Sequence, residues 1–295
     1  MNDIIGQYIN GNYNVTIYQN GTKIRENELD SLDPEFSESI DMKITDYCDL
    51  HCPFCHENST TNGKHANFED KWEMLSTIKP YTELAIGGGN PLSHENLEVF
   101  LRFCKDKKII CNMTVNIKHF ITQYDYIKYL EGNGLIHGLG ISVHDVKEEY
   151  IEKIKRFKNA VVHTIAGINS IDDYKMLAKN HLKVLILGYK NYRRGEDYIN
   201  ENPGINKNIE ELSVSLKSFW EGFKIISFDN LALTQLKVKD MMPENIWNEF
   251  YMGDDGKYTF YVDLVNEKFA KNSTSKTVWD LGNDIVDMFK KVNGN

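Results

Sequence analysis

Three cysteines fall within eight residues in the segment ITDYCDLHCPFCHENS, spaced as Cys48-x3-Cys52-x2-Cys55. Thiolates this close on one loop can ligate a metal centre, and clustered thiols fit a reducing compartment better than a disulfide framework. Two centres suit them. Three thiolates can hold three irons of a [4Fe–4S] cluster and leave the fourth open to the amine and carboxylate of a small molecule. Alternatively, His51 or His56 could complete a Cys3His zinc site, although structural zinc usually gathers its ligands in two separated pairs and no second Cys or His pair follows at such a distance. Cys104 and Cys111 read as small buried hydrophobes, the first on the apolar face of a helix and the second at the start of a strand.

About one strand-and-helix unit later comes AIGGGNPLSH. Glycines after a strand let backbone approach a ligand closely and expose amide groups. In the segment CNMTVNI the alternation turns Met113, Val115 and Ile117 outward and Thr114, Asn116 and Lys118 inward. In HGLGISVHD, Leu139, Ile141 and Val143 pack outward, leaving Gly138, Gly140, Ser142 and His144 inside, where two missing side chains make room for a ligand. His163 in AVVHTI reads as a core histidine before a ligand, and Lys190, Arg193 and Arg194 form a basic group in GYKNYRRG that could meet an anionic substrate.

The elements that would position these residues form a regular series. Strand candidates at 40–45, 83–87, 111–117, 137–143, 160–165 and 183–188 alternate with amphipathic stretches, the clearest carrying Leu97, Phe100, Leu101 and Cys104 on one face. Such alternation implies parallel βαβ units and an α/β fold, a partial TIM-like (β/α)6 barrel, with a doubly wound open sheet as the alternative. The cysteines then lie directly after the first strand, at the C-terminal mouth where such barrels build their sites. The flanks differ. Asn20-Gly21 between YNVTIYQ and TKIR signals a two-residue hairpin turn, 258–270 reads as a second hairpin, and Val278, Leu281, Ile285, Met288 and Val292 share one face of a closing helix opened by Thr277 and Asp280. The expected organisation is an N-terminal β-hairpin extension at 1–35, a core at 36–228 and a C-terminal hairpin-plus-helix extension at 229–295. Both extensions are expected to cover the open side of the barrel and shape access to it.

The cysteine spacing after a strand resembles the signature of the radical S-adenosylmethionine superfamily. Gly88-Gly89-Asn90-Pro91 resembles that family's GGEP motif, which binds the methionine amino group, with Asn90 as a neutral acceptor where Glu is common. The resemblance implies a [4Fe–4S] cluster on Cys48, Cys52 and Cys55. Its open iron would chelate S-adenosyl-L-methionine for reductive cleavage to a 5′-deoxyadenosyl radical, which abstracts hydrogen from a small-molecule or peptide substrate. Phe54 matches the residue placed near adenine, and Asn116, Lys118 and Ser142 match strand-end positions that contact the ribose and carboxylate. The implied electron donor is a flavodoxin or ferredoxin. A glycyl-radical-enzyme activase and a non-enzymatic metal-binding or redox-sensing protein are the competing readings. The absence of cysteine after residue 229 argues against auxiliary clusters.

Bulk properties bound the rest. With 34 Lys plus Arg against 43 Asp plus Glu, the chain carries a net charge of −9, which lends nucleic acid no support as a partner. No apolar run approaches a membrane span and the first residues lack a leader pattern, so the expected location is cytoplasmic.

Overall fold

The computed structural model describes residues 3–29 and 31–294. Strands β1 (Ile4–Asn10), β2 (Tyr13–Tyr18) and β3 (Lys23–Glu26) form a small antiparallel sheet. A second sheet contains β4 (Ser39–Thr45), β5 (Glu83–Gly88), β6 (Ile110–Asn116), β7 (Gly138–Ser142), β8 (Ala160–Ile165), β9 (Lys183–Leu187) and β10 (Ile225–Phe228). It also contains β11 (Thr259–Asp263), β12 (Lys268–Ala270) and β13 (Val278–Asp280). Neighbours from β4 to β10 are all parallel and follow chain order. Helices such as Leu97–Asp106 and Ile171–Lys179 return the chain between them. This is the partial TIM-like barrel that the strand series predicts, with β10 as a seventh, short parallel strand.

Period-2 alternation explains why the wall stands. On β4, Ile40, Met42 and Ile44 are at most 1% exposed and pack outward into the main core, so Asp41, Lys43 and Thr45 face inward. Leu97, Phe100, Leu101 and Cys104 are buried together on the inner face of their helix, which is the packing their spacing predicts. Cys104 and Cys111 lie against one another in that core.

The flanks depart from expectation in three ways. The N-terminal turn holds three residues, Gln19–Gly21. Gly21 at φ +89° donates to the Tyr18 carbonyl, and this bulged form places its glycine in the left-handed region. Its sheet also lies at the floor of the barrel, below the strand starts. Arg25 makes two 2.7 Å bonds to Glu38, Lys23 reaches Glu83 at 2.6 Å, and Tyr13, Val15 and Ile17 share a small core with Ile110 and Tyr258. It therefore does not shape access at the mouth.

The C-terminal hairpin joins the main sheet itself, because β11 pairs in parallel with β4, and β12 and β13 follow antiparallel. Val278 and Asp280 belong to β13, so the closing helix starts later, at Ile285, where Asp284 accepts from the Val286 and Asp287 amides. This segment closes the side of the barrel as expected. Asn230 after β10 and Asn272 after β12 both donate to Asp255 at 2.7 Å, tying the two edges together. No helix among the described residues is long and apolar enough to cross a membrane.

Candidate functional site

At the C-terminal ends of the strands a cavity of about 470 Å³ opens, within the roughly 300–1,000 Å³ of ordinary ligand sites. Cys48, Cys52 and Cys55 all line it, on the loop that follows β4. Phe54, Gly88, Gly89, Asn116 and Ser142 line it as well; Asn90 and Lys118 do not.

The cysteine loop is held from three directions. Cys48 and Thr60 pair across its base, the Cys48 amide donating to Thr60 at 2.9 Å. His119, buried at the start of the helix after β6, meets Asp49 through Nε2 at 2.7 Å. That bond holds the Asp49 carboxyl below its usual range. On the far side Arg193 Nη1 donates to the Glu57 carbonyl at 2.8 Å and Arg194 Nη2 to the buried Ser59 carbonyl at 2.6 Å. The basic loop after β9 is thus committed largely to the chain's own cysteine loop. Only Lys190 lines the cavity, its Nζ between His56 Nε2 at 3.2 Å and Ser273 Oγ at 3.0 Å.

The glycine turn runs beside this loop. Gly88 has φ +108°, and a Cβ there would fall 2.3 Å from the Thr45 oxygen; one on Gly89 would fall 2.1 Å from that of Tyr47. The Gly89 and Asn90 amides donate to those same carbonyls at 2.7 and 2.6 Å. The glycines therefore serve close approach to the cysteine loop, and these amides are not free for a ligand. Asn90 is 4% exposed and its Oδ1 accepts from the Leu92 amide at 3.2 Å, capping the short turn Pro91–Ser93; its backbone is extended. Asn116 Oδ1 likewise takes the Lys118 amide, opening the helix Ile117–Thr122, which begins where the strand was expected to continue. Lys118 itself is exposed.

Gly138 and Gly140 do face inward, but the space they leave is filled by neighbours. A Cβ on Gly138 would meet Asn112 Oδ1 at 2.5 Å, and one on Gly140 would meet the His163 ring at 2.4 Å and Thr114 Oγ1 at 2.8 Å. His163 lines the cavity, as does His144, whose ring stands edge-on to Phe54 at 4.8 Å. Burial lowers both imidazoles to a pKa of about 4, so both are neutral at pH 7.

Below the mouth lies a charged network that the sequence reading passed over. Lys43, 2% exposed, meets Asp46 at 2.5 Å, Glu57 at 3.1 Å and Asp263 at 3.3 Å. His56 completes it on Glu57 at 3.2 Å. Burial alone would raise the Glu57 carboxyl, but His56 and Lys43 outweigh it and hold it well below its usual range.

The donor set can be tested against its candidate metals. A tetrahedral zinc ion with bonds near 2.3 Å brings its thiolates to within about 3.8 Å of one another. Among the described residues the only trio of ligand-type atoms lying within 4.8 Å of one another is Cys48, Asp49 and His119, and two of these are already hydrogen-bonded together. His51 is exposed, and the His56 ring is engaged by Glu57 and Lys190, so neither is gathered with the three thiols as a fourth ligand. Three thiols spread around a cavity mouth fit one thiolate per iron of a cluster.

Comparison with known proteins agrees. The family model described as the radical SAM superfamily matches residues 42–195, just over half of the chain, from β4 to the arginine loop. An uncharacterized protein of Methanocaldococcus jannaschii is 25% identical over 144 residues, 46% of this chain and 49% of that protein. The chain thus spans about half the length of the curated relative it matches. Streptococcus suis SuiB bound to S-adenosylmethionine superposes with a TM-score of 0.62 at 14% identity, over 94% of this chain and 84% of that one. The same protein bound to precursor peptide SuiA gives 0.62 at 15%, over 89% and 67%. These are likenesses of fold. With the family model covering its barrel and cysteine loop, the chain belongs to the radical SAM superfamily, and the cofactors that go with membership are a [4Fe–4S] cluster and S-adenosyl-L-methionine.

Proposed function

We propose that this protein is an enzyme that cleaves S-adenosyl-L-methionine reductively and directs the resulting hydrogen abstraction at a small-molecule or peptide substrate held in the same cavity. The observation that supports it most is the convergence of Cys48, Cys52, Cys55 and the Gly88–Gly89 turn on one cavity at the barrel mouth. When bound, the cluster supplies the electron for that cleavage. The three cysteines are its ligands in this reading. Phe54 offers an apolar face for adenine, and Asn116 and Ser142 offer polar contacts to the ribose and carboxylate. An ammonium group donates, so the turn would meet it through carbonyl oxygens and not through the Gly89 and Asn90 amides, which donate to Thr45 and Tyr47. Asn90 acts from behind the wall as a cap, and Lys118, exposed at the start of its helix, is near enough to act on Cys52 electrostatically. Neutral His144 and His163 add no charge that would repel a sulfonium.

Residues 36–228 form the core in this reading, although Asp229 and Ser273 also line the cavity, so the C-terminal extension belongs to the site. A peptide substrate gains support from SuiB, whose structure is described as bound to a precursor peptide. A flavodoxin or ferredoxin of the reducing cytoplasm would deliver the electron. Anaerobic reconstitution tests the metal directly. The expected product is brown protein with about four irons and four sulfides per chain, the colour lost in each of Cys48→Ala, Cys52→Ala and Cys55→Ala. Colourless protein with one zinc would overturn the reading.

A further inference from the structure

The cavity is electrically two-sided. Along β8 and β9 its wall is neutral: His163, Ile165, Leu185 and Leu187. Along β4 and the seam with β10 it carries Asp41, Lys43, Glu57, Lys190 and Asp229. Lys43 is matched by its three carboxylates. Lys190 is held by His56 and Ser273 and reaches no carboxylate at ion-pair distance among the described residues.

Asp41 is different. It sits at the middle of β4, beside Ala85 on one neighbour and Tyr261 on the other, facing inward. Its carboxylate has no hydrogen-bond or ion-pair partner among the described residues, lines the cavity and is exposed to it. Asp229 stands across the seam at the end of β10. Its Oδ1 accepts from the Gly188 and Ala232 amides at 2.9 and 2.7 Å, which leaves Oδ2 without a protein partner among the described residues. Asp229 is near enough to act on Asp41 electrostatically, as are Lys190, Asp255 and Glu57. An unpaired carboxylate facing into a cavity beside other carboxylates is stabilised by a ligand cation that displaces its water.

We propose that the cavity takes a substrate presenting an alkylammonium group, seated on Asp41 and the free oxygen of Asp229, on the seam side opposite the neutral wall. This rests on the radical SAM reading above and names the substrate class of that site. Lys190, which lines the same cavity, would meet an acceptor on the same substrate.

The test uses cluster-reconstituted protein saturated with S-adenosylmethionine, kept oxidised so that nothing turns over. Calorimetric titration compares Nα-acetyl-lysine methylamide, putrescine and the neutral Nα-acetyl-norleucine methylamide. At least one cation should bind about tenfold more tightly than the neutral probe, and Asp41→Asn should erase that advantage. Asp229→Asn, which keeps an oxygen for the Gly188 and Ala232 amides, should reduce it about threefold or more and guards against a folding defect in the first variant. Preference for the lysine probe points to a peptide side chain and preference for putrescine to a free amine. Equal binding of the neutral probe, no binding of either cation, or a loss in Asp41→Asn that falls on S-adenosylmethionine instead would overturn the proposal. A protein that binds amines in this way but forms no 5′-deoxyadenosine would sink the proposed function and leave this inference standing. The converse would sink this inference alone.

Discussion

Replacing Arg194 should loosen the cysteine loop without touching a cysteine. Its Nη2 donates to the Ser59 carbonyl at 2.6 Å, four residues beyond Cys55, and Ser59 is 2% exposed with its hydroxyl already lacking a partner. Arg194→Ala removes a charge-assisted bond of about 1.5–3 kcal/mol and leaves that carbonyl buried without a donor. The guanidinium is half-buried, so the full range applies more closely than it would at a surface. It also lowers the cost of ionising Cys48 and Cys52, whose thiols burial pushes up, so its loss weakens thiolate formation too. Two assays separate the effects. Urea unfolding of the metal-free protein should show a lower midpoint at unchanged slope, and anaerobic reconstitution should give less iron per chain. Arg194→Lys, which keeps a donor and the charge, should recover part of both. Arg193→Ala should cost less, because Arg193 is exposed and its φ of +53° is one that Ala adopts no more readily. If Arg194→Ala retained both midpoint and iron content, the clamp would hold nothing and the loop would be a solvated face.

Four further outcomes follow from the same geometry. Asn90→Ala should cost about 1 kcal/mol as a lost cap while leaving the dissociation constant for S-adenosylmethionine within about twofold; a tenfold weakening would place the side chain on the cofactor. Gly89→Ala should destroy cluster assembly, because its Cβ would fall 2.1 Å from the Tyr47 oxygen; full iron content would show that the loop gives way easily. Cys104→Ala should destabilise by about 1–2 kcal/mol through lost packing and keep its iron, whereas a colourless protein would mean it is a ligand. Asp41 has its pKa raised by burial from 3.8 to about 6, so its destabilising charge appears as pH rises from about 4 to 6 and persists above. Two units correspond to about 3 kcal/mol, which contact with cavity water cuts to about 1 kcal/mol. Asp41→Asn should therefore raise the melting temperature at pH 7 and not at pH 4, and an unchanged or lower value at pH 7 would refute the sign.

The barrel was legible because its six principal strands are β-rich runs with outward apolar faces, and each occurs where the alternation places it. Strand β10 was not. It has four residues with two exposed, and it follows a long helical stretch. Val278 misled for the opposite reason: it continues a helical apolar spacing, yet cross-strand pairing with Ala270 holds it extended. The gathering of Cys48, Cys52 and Cys55 on one loop at the mouth was legible from spacing. The supports of that loop were not, since His119 reaches Asp49 across 70 residues and Arg194 reaches Ser59 across 135, and contacts of that range leave no local pattern. Asp41 was available in principle. In IDMKIT the alternation that buries Ile40, Met42 and Ile44 sends Asp41 and Lys43 inward, and two charges facing a barrel interior are a signal of a polar site. The glycines of β7 show the limit of such reasoning, because a missing side chain reveals that space is needed but not which neighbour fills it.

The most direct test of the reading is the reaction itself. Anaerobically reconstituted protein, given dithionite and S-adenosyl-L-methionine without any further substrate, should release 5′-deoxyadenosine and methionine in equal amounts, and the Cys48→Ala, Cys52→Ala and Cys55→Ala variants should release none. A fully iron-loaded protein that forms no 5′-deoxyadenosine, or a cysteine variant that still forms it, would contradict the assignment of this cavity as a site of reductive S-adenosylmethionine cleavage.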